Sequence, residues 1–283
     1  MFEVLENEIL APNLHRMVVK APRVAAARKP GQFVIVRADR GEERIPLTIG
    51  DADPSAGTIT LFVQAVGAST RRIVSVGPGG SLRDVAGPLG KATHIEKWGR
   101  VACVGGGVGT AVLFPLAKGM AEAGNGVTTI IGARSAEYVI LADELQSLSE
   151  RLLVTTEDGS RGEKGFVTAA LQKLIDDPAT TPRVVVAVGP VPMMRAVAEV
   201  TRPHGIETVV SLNPVMIDGT GMCGGCRVVV GGESKFACVD GPEFDGHLVD
   251  FTGLADRLTT YREHESRARH AAECRLHKEV ANG

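Results

Sequence analysis

Three cysteines and one aspartate are spaced closely in the last third of the chain, where together they could hold a metal centre. Asp218, Cys223, Cys226 and Cys238 follow the pattern D-x4-C-x2-C-x11-C. Glycines alternate with these residues in "DGTGMCGGC". Because glycine has no Cβ, the backbone there can wrap closely around a bulky inorganic core and turn its amides toward sulfur. Three thiolates and one carboxylate can fill four ligand positions.

Two kinds of metal centre fit this ligand set. Plant-type two-iron ferredoxins place their first three thiolates at C-x4-C-x2-C, so the spacing matches if Asp218 takes the first position. Zinc also accepts Cys sulfur and Asp oxygen, but its sites more often pair two separated C-x2-C knuckles. The spacing therefore favours a [2Fe-2S] cluster over zinc. Ligation by Asp218 is left open by the residues alone, because an aspartate in a glycine-rich loop is also a common turn residue.

Two of the cysteines outside the compact C-x2-C pair differ in their expected roles: Cys238 is expected to be a ligand and Cys103 a core residue. "RVVVGGESKFA", residues 227–237, is typical of a β-hairpin and would return Cys238 to the side of the other ligands. Cys103 lies within the apolar run "RVACVGGG", which predicts packing in a central strand.

A second glycine-rich segment, "VACVGGGVGTAVLF", lies between a predicted strand and a predicted helix. It contains Gly105, Gly106, Gly107 and Gly109, with Thr110 where a third motif glycine is expected. Backbone amides at such a turn and the positive end of the helix can hold a pyrophosphate. The segment therefore predicts dinucleotide binding, with a tight structural turn as the alternative.

The sequence does not decide between NAD and NADP. The next predicted strand ends in "IIGARSAE", without the acid that grips a ribose hydroxyl. Arg134 in that segment could meet a 2′-phosphate or be a solvated charge. Asp158, in the glycine-rich stretch "EDGSRGEKGFVT", either caps its loop or contacts a ribose.

Hydrophobic patterning predicts two different folds along the chain. Up to residue 98, short alternating runs such as "RMVVKAP", "GQFVIVRAD", "GTITLFVQAV" and "RRIVSV" indicate a small antiparallel β-barrel. From residue 99, apolar Val- and Ile-rich runs alternate with helical stretches such as "SAEYVILADELQSLSE", which predicts a doubly wound parallel sheet. The expected divisions are a barrel at 1–98, an α/β domain at 99–212, a metal-binding segment at 213–250 and a charged helical tail at 251–283.

Composition and charge give no support for nucleic-acid binding, secretion or a membrane span. The chain has 283 residues, enough for two domains, and its net charge of −2 gives no electrostatic reason to expect nucleic acid or an anionic membrane as partner. "MFEVLENEIL" carries three glutamates where a signal peptide needs basic residues, and no run approaches the ~18 apolar residues of a membrane span. We therefore expect a cytoplasmic protein, in which clustered cysteines more often bind metal than form disulfides.

Four short motifs resemble those of the ferredoxin reductase superfamily. "RIPLTI" (44–49) resembles its flavin motif, "GASTRRI" (67–73) its flavin-phosphate turn, "GPLG" (87–90) the end of its flavin barrel and "VGPVPMM" (188–194) its nicotinamide-side loop. Many members carry a cysteine at the first position of the last motif, where this chain has Val188.

This resemblance implies an FAD in the barrel and a nicotinamide nucleotide beside it. It assigns flavin contacts to Arg44, Pro46, Leu47 and Thr48, and contacts with the flavin pyrophosphate to Ser69 and Thr70. It places the nicotinamide against the flavin through the 105–110 glycine turn and through Gly189, Pro190 and Met193. No side chain is assigned a catalytic role, because the redox chemistry lies on the cofactors.

The order of flavin barrel, nucleotide domain and iron-sulfur loop resembles two related families. One is the electron-transfer subunit of dihydroorotate dehydrogenase, which normally supplies four cysteines. The other is the small subunit of NADH-dependent ferredoxin:NADP oxidoreductase, also called the sulfide dehydrogenase beta subunit, in which one aspartate and three cysteines hold the cluster. Asp218 makes this chain more similar to the second family.

The resemblance further implies electron transfer between NAD(H), FAD and a [2Fe-2S] cluster, with NADP left open as the nucleotide. The implied partner is a larger flavin and iron-sulfur subunit related to glutamate synthase small chain, and ferredoxin is reached through that complex. Two alternatives stay open: the dihydroorotate dehydrogenase electron-transfer subunit, and a nucleotide-binding regulatory protein stapled by zinc.

Overall fold

The protein is described by a computed structural model at residues 1–260, so the predicted charged tail at 251–283 lies outside the described residues from residue 261 onward. The strands are β1 Phe2–Ala11, β2 Leu14–Lys20, β3 Phe33–Arg37, β4 Ile45–Asp53, β5 Thr58–Gln64, β6 Ser81–Leu82, β7 Asp84–Leu89, β8 Arg100–Gly106, β9 Gly126–Ala133, β10 Arg151–Thr156, β11 Glu163–Lys164, β12 Val184–Val188, β13 Glu207–Ser211, β14 Arg227–Val230, β15 Glu233–Phe236 and β16 Glu243–Asp245. The α-helices are α1 Pro22–Ala27, α2 Ala68–Val74, α3 Gly109–Glu122, α4 Ala142–Leu148, α5 Val167–Asp176, α6 Val191–Thr201, α7 Ala237–Asp240 and α8 Phe251–Thr259, with short 3₁₀ turns at Ala136–Tyr138 and Arg202–His204.

The N-terminal strands form the predicted antiparallel barrel. Seven strands pair in the order β6-β1-β2-β5-β4-β3-β7. The two edge strands are consecutive in the chain, separated only by Arg83, whose N–H donates to the carbonyls of Arg37 and Ala38 at 3.1 Å. The edges therefore meet and the sheet curls into a nearly closed barrel. Its interior is filled by alternate strand residues such as Val34 and Leu61, which are fully buried.

One predicted barrel strand is a helix instead. "RRIVSV" lies mostly in α2, so the prediction of a strand there was wrong. The hydroxyl of Thr70 accepts the N–H of Gly67 at 3.0 Å and donates to its carbonyl at 3.1 Å, which caps the first turn. Ile73 then points into the barrel core with 1% exposure. This cap and the burial of one helix face outweigh the strand propensity of the β-branched residues.

The second half of the chain forms the predicted doubly wound sheet. Its strand order is β11-β10-β9-β8-β12-β13-β16, parallel throughout except for β16 at the edge. Along β8, Val101 and Cys103 pack with residues of α3 and α4, whereas Ala102 and Val104 pack with residues of α5 and α6. Helices therefore cover both faces of the sheet. The expectation that Cys103 is a core residue is confirmed, since it is fully buried.

The predicted helix at 135–150 is interrupted. A 3₁₀ turn ends at Tyr138, and α4 begins only at Ala142 after Leu141, which has a φ of 53°. Ile140 and Leu141 are buried at 4% and 7% exposure against the core under α3. Burial of this apolar pair fixes an irregular backbone that helix propensity alone does not predict.

The barrel and the second sheet are joined along α3. Lys118 on this helix donates to both carboxylate oxygens of Asp51 on β4 at 3.0 Å, and Arg28 reaches the same carboxylate at 3.3 Å. The partly buried Lys118–Asp51 ion pair links the two halves, and Arg28, from the barrel itself, adds a second cation beside the same carboxylate. Within residues 1–260 no helix is both long and apolar enough to cross a membrane.

Candidate functional site

A cleft of about 1140 Å³ lies between the barrel, the ends of the parallel strands and the segment that follows β13. The barrel contributes Phe33, Pro46 and Thr48 to its wall. The sheet contributes the glycine turn after β8 and the loop after β12. Ligands of open α/β sheets bind at these carboxyl ends of parallel strands. The cleft therefore joins the two regions that the motifs assign to a flavin and to a nucleotide.

The two sheet motifs pack directly against each other. A Cβ on Gly109 would lie 2.4 Å from the carbonyl oxygen of Val188, and a Cβ on Gly106 would lie 2.3 Å from the sulfur of Met193. A Cβ on Gly189 would meet the same methionine at 2.7 Å. At Gly109 the obstacle is backbone, so glycine is required there for close contact of the two loops, whereas Met193 is a flexible side chain; the start of α3 stays open to the cleft.

Not all predicted nucleotide residues line the cleft. Gly106, Gly107, Gly189, Pro190 and Met193 do, as does Gly109. Thr110 is only 2% exposed, and its hydroxyl lies 3.0 Å from where a Cβ of Gly105 would be. These last two residues therefore form the packed base of the turn.

The predicted flavin residues are divided between the cleft wall and the barrel. Pro46 and Thr48 line the cleft, whereas Leu47, between them on β4, points into the barrel core with 8% exposure. This division follows from the alternation of side chains along a strand. Leu47 can therefore meet a ligand in the cleft only through its backbone. Arg44 is exposed just before β4 and is not in the cleft wall.

The two residues expected to hold a flavin pyrophosphate have protein partners. The hydroxyl of Ser69 donates to the carboxylate of Glu43 at 2.5 Å. That of Thr70 is used in the cap of α2 described above. Both residues lie on the first turn of α2, and the hydrogen bond from Ser69 links this turn to Glu43, which precedes Arg44 in the chain.

Asp158 has a local role, and its neighbour Glu157 occupies the cleft. The carboxylate of Asp158 accepts the hydroxyl of Ser160 at 2.6 Å and its N–H at 2.9 Å, which lowers the pKa of Asp158. Its side chain is absent from the cleft wall, whereas Glu157 and Arg134 are both part of it. Sequence analysis missed Glu157; its place directly after a parallel strand was the available signal.

The carboxylate of Asp218 is held by backbone amides of the loop before β14. One oxygen accepts the N–H of Thr220 at 2.9 Å and the other accepts the N–H of Cys223 at 2.8 Å. These hydrogen bonds hold the pKa of Asp218 below its usual value. The residue therefore presents a charged carboxylate beside the exposed thiol of Cys223.

The predicted hairpin brings the other two cysteines together. β14 and β15 pair antiparallel from Arg227 opposite Phe236, so Cys226 and Cys238 flank the open end of the hairpin. The N–H of Cys238 points at the sulfur of Cys226 at 3.4 Å. Both cysteines are buried, at 1% and 2% exposure. Burial, with Cys226 alongside, raises the pKa of the Cys238 thiol.

The four predicted ligands thus lie as two pairs, Asp218 with Cys223 and Cys226 with Cys238. Among residues 1–260, no three Cys, His, Asp or Glu side chains are gathered closely enough to enclose a single metal ion. A two-iron cluster needs two protein ligands on each iron, which two pairs supply, and backbone N–H groups point at the sulfurs of Cys223 and Cys226. The donor set therefore fits a [2Fe-2S] cluster better than one closed zinc site.

The ligand loop rests on the barrel next to the cleft. A Cβ on Gly219 would lie 2.9 Å from side-chain atoms of both Ile35 on β3 and Leu89 on β7. Met216, just before the ligand segment, is in the wall of the cleft. The candidate cluster and the candidate flavin site therefore share the β3 side of the barrel.

Comparison with protein families matches two parts of the chain. Residues 213–250 match the iron-sulfur cluster binding domain of dihydroorotate dehydrogenase B. Residues 103–199 match the oxidoreductase NAD-binding domain. The first match contains the four paired ligands, and the second contains the glycine turn and the 188–194 loop.

A relative covers nearly the whole chain. The "dihydroorotate dehydrogenase B (NAD(+)), electron transfer subunit homolog" of Thermotoga maritima is 46% identical over 93% of this chain and 92% of its own. This chain belongs to the family of dihydroorotate dehydrogenase B electron transfer subunits and their homologues. Another member of the electron transfer subunit family, from Fusobacterium nucleatum, is 32% identical over 85% of this chain and 94% of its own.

Solved structures agree with this membership. A structure described as that of NADH-dependent reduced ferredoxin-NADP oxidoreductase, studied for flavin-based electron bifurcation, matches with a TM-score of 0.90 and 44% identity over 96% of this chain and 97% of its own. The ferredoxin reductase of carbazole 1,9a-dioxygenase, at 18% identity and a TM-score of 0.61 over 72% of this chain and 64% of its own, shares the fold. This chain is thus an oxidoreductase subunit with a ferredoxin reductase fold, as its motifs predict.

Proposed function

We propose that this subunit passes electrons between NAD(H), FAD and a [2Fe-2S] cluster, within an NADH-dependent ferredoxin:NADP oxidoreductase. One observation carries the proposal: a single cleft borders the barrel strand with Pro46 and Thr48, the glycine turn at the start of α3 and the segment that leads into the cluster ligands. All three redox groups can therefore lie side by side.

A flavin in this cleft would supply the conversion between two-electron hydride transfer and one-electron transfer to iron. Pro46 and Thr48 would contact its ring side, and the Leu47 backbone would complete that strand edge. Arg44 would pair with the anionic phosphate or ribityl side. Ser69 and Thr70 would hold the pyrophosphate at the start of α2, with Ser69 exchanging its bond to Glu43 for a phosphate oxygen.

The nucleotide would lie along the sheet side of the same cleft. The amides of Gly106, Gly107 and Gly109 would hold its pyrophosphate at the start of α3. Gly189, Pro190 and Met193 would form the floor under the nicotinamide. Because these loops already touch, the nucleotide site needs little rearrangement before binding.

The cluster would take Asp218 and Cys223 on one iron and Cys226 and Cys238 on the other. Cluster binding removes the thiol protons of the three cysteines, and the raised pKa of Cys238 opposes this loss at that residue. We expect assembly to draw the two pairs closer together. A cytoplasmic location, where thiols stay reduced, suits this chemistry.

The partner would be a larger flavin and iron-sulfur subunit, related to glutamate synthase small chain, that passes electrons on to ferredoxin. Ile217 and Met222 lie beside or within the ligand loop and Val239 follows Cys238; they are 49%, 89% and 43% exposed, and Cys223 is exposed as well. Apolar side chains gathered at the surface of a soluble-type fold are typical of protein contacts. Contact at this point would place the partner's redox group next to the cluster.

A second candidate is the electron-transfer subunit of a dihydroorotate dehydrogenase, which the names of several relatives favour. Asp218 in place of a first cysteine favours the ferredoxin:NADP oxidoreductase. The two functions differ in the larger subunit, so the subunit that co-purifies with the native protein distinguishes them.

The proposal is tested by purifying the complex from its native cell and measuring FAD, iron, sulfide and zinc, together with NADH-dependent reduction of a dye. After the subunits of the complex are separated, we expect FAD and two irons for each copy of this chain, and the complex should show a flavin and iron-sulfur visible spectrum and dye reduction. A colourless chain with zinc and no flavin would instead support a zinc-stapled nucleotide-binding regulatory protein.

A further inference from the structure

The last described helix, α8, is fixed against the hairpin that the buried cluster ligands flank. Phe251 and Leu254 on this helix are buried in the same hydrophobic cluster as Cys226 and Cys238. The N–H of Asp250, just before the helix, donates to a backbone carbonyl of β14 at 2.9 Å. Packing therefore sets the position of α8 relative to the ligand loop, whereas the sequence predicts this segment only as charged tail.

The exposed face of α8 carries an arginine that reaches the middle of the ligand loop. The guanidinium of Arg257 donates to the carbonyl of Gly225 at 3.2 Å. Gly225 lies between Cys223 and Cys226, and its own N–H points at the sulfur of Cys223 at 3.5 Å. This residue is thus held at both ends, by a ligand sulfur at its N–H and by Arg257 at its carbonyl. The hydrogen bond from α8 therefore helps to aim the N–H at the sulfur.

A second arginine directly follows the C-x2-C pair of ligands. The guanidinium of Arg227 lies over the ring of Phe236, 5.9 Å from its centroid, which holds the side chain beside the loop. A Cβ added to Gly224 would lie 3.6 Å from a terminal nitrogen of this guanidinium. Neither Arg227 nor Arg257 forms an ion pair with a carboxylate within residues 1–260. Two positive charges that no carboxylate neutralises therefore lie beside the C-x2-C segment.

We propose that Arg257, together with Arg227, stabilises the reduced form of the cluster and so raises its midpoint potential. This inference rests on the proposed function. With three thiolates and one carboxylate as ligands, the oxidised cluster is already anionic, and one-electron reduction adds another negative charge. A nearby guanidinium lowers the free energy of the reduced state more than that of the oxidised state, and an N–H aimed at a ligand sulfur acts in the same direction. Arg257 is also a positioning residue, because it holds the carbonyl of Gly225.

The test is a redox titration, with dithionite as reductant, of the complex purified with wild-type or variant forms of this chain. The readout is electron paramagnetic resonance, in which the signal of this cluster is the component missing in Cys226→Ala. Arg257→Gln should lower the equilibrium constant for reduction about fivefold, which is a fall of about 40 mV for one electron. Arg257→Lys keeps the charge and should stay close to the wild-type potential. High salt should shrink the effect of Arg257→Gln, because the arginine is exposed.

Arg100→Gln is the matched control, because Arg100 is also an exposed arginine that donates to a backbone carbonyl, that of Thr181 at 3.0 Å. Arg100 lies at the start of β8, at the opposite end of this strand from the glycine turn, so its loss should leave the potential unchanged. If Arg257→Gln keeps its iron and titrates like wild type, the role of Arg257 is overturned while the proposed function stands. Equal falls in Arg257→Gln and Arg257→Lys would likewise overturn it, since charge would not be the cause.

Arg227→Gln tests the same electrostatic effect independently of the hydrogen bond to Gly225. It should lower the potential in the same direction, and it decides the matter where Arg257→Gln loses its iron. A wild-type potential in iron-loaded Arg227→Gln would then overturn the inference. Loss of iron from both glutamine variants would also overturn it, because the arginines would act on cluster retention instead. If the wild-type complex gives no reduced two-iron signal that depends on Cys226, the proposed function itself is overturned.

Discussion

Two glycine-rich segments serve the candidate site, and they need glycine for different reasons. In the turn after β8, a Cβ on Gly109 would collide with the backbone oxygen of Val188, so the absence of a side chain permits two loops to touch. In the ligand loop, Gly221 and Gly224 have φ of 84° and 70°, so glycine permits a left-handed backbone. The nearest atom to a Cβ on Gly224 is a flexible arginine tip at 3.6 Å.

This difference indicates that Gly109 is needed for backbone packing, whereas the ligand loop depends on a series of left-handed glycines, of which Gly219 is also closely packed. The turn is surrounded by buried residues and is complete before any ligand binds. The ligand loop presents two separate pairs of donors, one of them exposed. The first site should therefore tolerate no added volume at Gly109, and the second should depend on its donor atoms.

The largest effect is expected from removing a buried cluster ligand. Cys226→Ala should abolish the cluster absorption and the iron content, because one iron would lose a thiolate. Cys103→Ala is the matched control, since Cys103 is equally buried and burial raises its pKa to about 12, which makes it an inert core thiol. Iron content in the two purified variants is the measurement. Normal iron in Cys226→Ala would remove this cysteine from the ligand set.

Adding a methyl group at Gly109, in the turn after β8, should lower both the stability of the protein and its affinity for the nucleotide. Gly109→Ala must displace the Val188 carbonyl, and overpacking of this kind lowers the free energy of unfolding by about 1–3 kcal/mol. Gly107→Ala is the comparison variant, in which only the backbone conformation is unfavourable. Gly107 has a φ of 54°, but a Cβ added there would have no neighbour within 4 Å. It should cost about 1 kcal/mol in the left-handed backbone. Thermal unfolding and NAD titration of both variants decide; equal losses would contradict packing as the reason for Gly109.

A third prediction concerns a hydrogen bond between the N-terminal half of the chain, at Thr93, and the edge strand β16 of the parallel sheet. Glu243 on β16 accepts the hydroxyl of Thr93 at 2.9 Å, and burial raises its pKa from 4.5 to about 7. Below pH 4.5 this carboxyl is protonated in the folded and unfolded chain alike. As the pH rises toward 7 the unfolded chain loses the proton first, so the folded state loses stability, by an amount on the order of 3 kcal/mol at most.

Glu243→Gln cannot ionise and should unfold at a higher temperature than wild type at pH 8, with little difference at pH 4.5. Exposed Glu163→Gln should show no such dependence on pH. A constant difference between Glu243→Gln and wild type across this range would mean that the carboxyl is not shifted.

The smallest effect is expected from exchanging the fourth ligand. Asp218→Cys should keep the cluster and displace its midpoint potential, because thiolate and carboxylate differ in electron donation to iron. Asp240→Asn removes a nearby charge that only binds the N–H of Phe236 and should leave the ligand set intact. An unchanged redox titration in Asp218→Cys would count against ligation by Asp218.

Much of the fold could be predicted from the sequence, because strand patterning and buried apolar runs are strong signals. The barrel, the doubly wound sheet and the hairpin that returns Cys238 were predicted and are present. "RRIVSV" was assigned to a strand because its β-branched residues suggest one, while the deciding cap from Thr70 to Gly67 is a local hydrogen bond that propensity does not contain. The break before α4 comes from burial of Ile140 and Leu141, which only the tertiary structure determines.

The sequence predicted which segments form the candidate site, but not which of their side chains line the cleft. The motif alone could not show that Leu47 faces the barrel while its neighbours face the cleft. Nor could it show that Thr110 is packed under the turn or that Asp158 closes its own loop. Glu157 was missed although it opens the quoted stretch "EDGSRGEKGFVT", because its place in the cleft wall follows from the register of two strands.

The central claim is that electrons pass between a nicotinamide nucleotide, a flavin and an iron-sulfur cluster that are all bound by this chain. Its most direct test is the electron paramagnetic resonance spectrum of the native complex before and after anaerobic addition of NADH, with Cys226→Ala as reference. We predict that NADH produces the signal of a reduced two-iron cluster in wild type, and that this component is missing in Cys226→Ala. The same spectrum from both proteins, or no signal and bound zinc in wild type, would contradict the account.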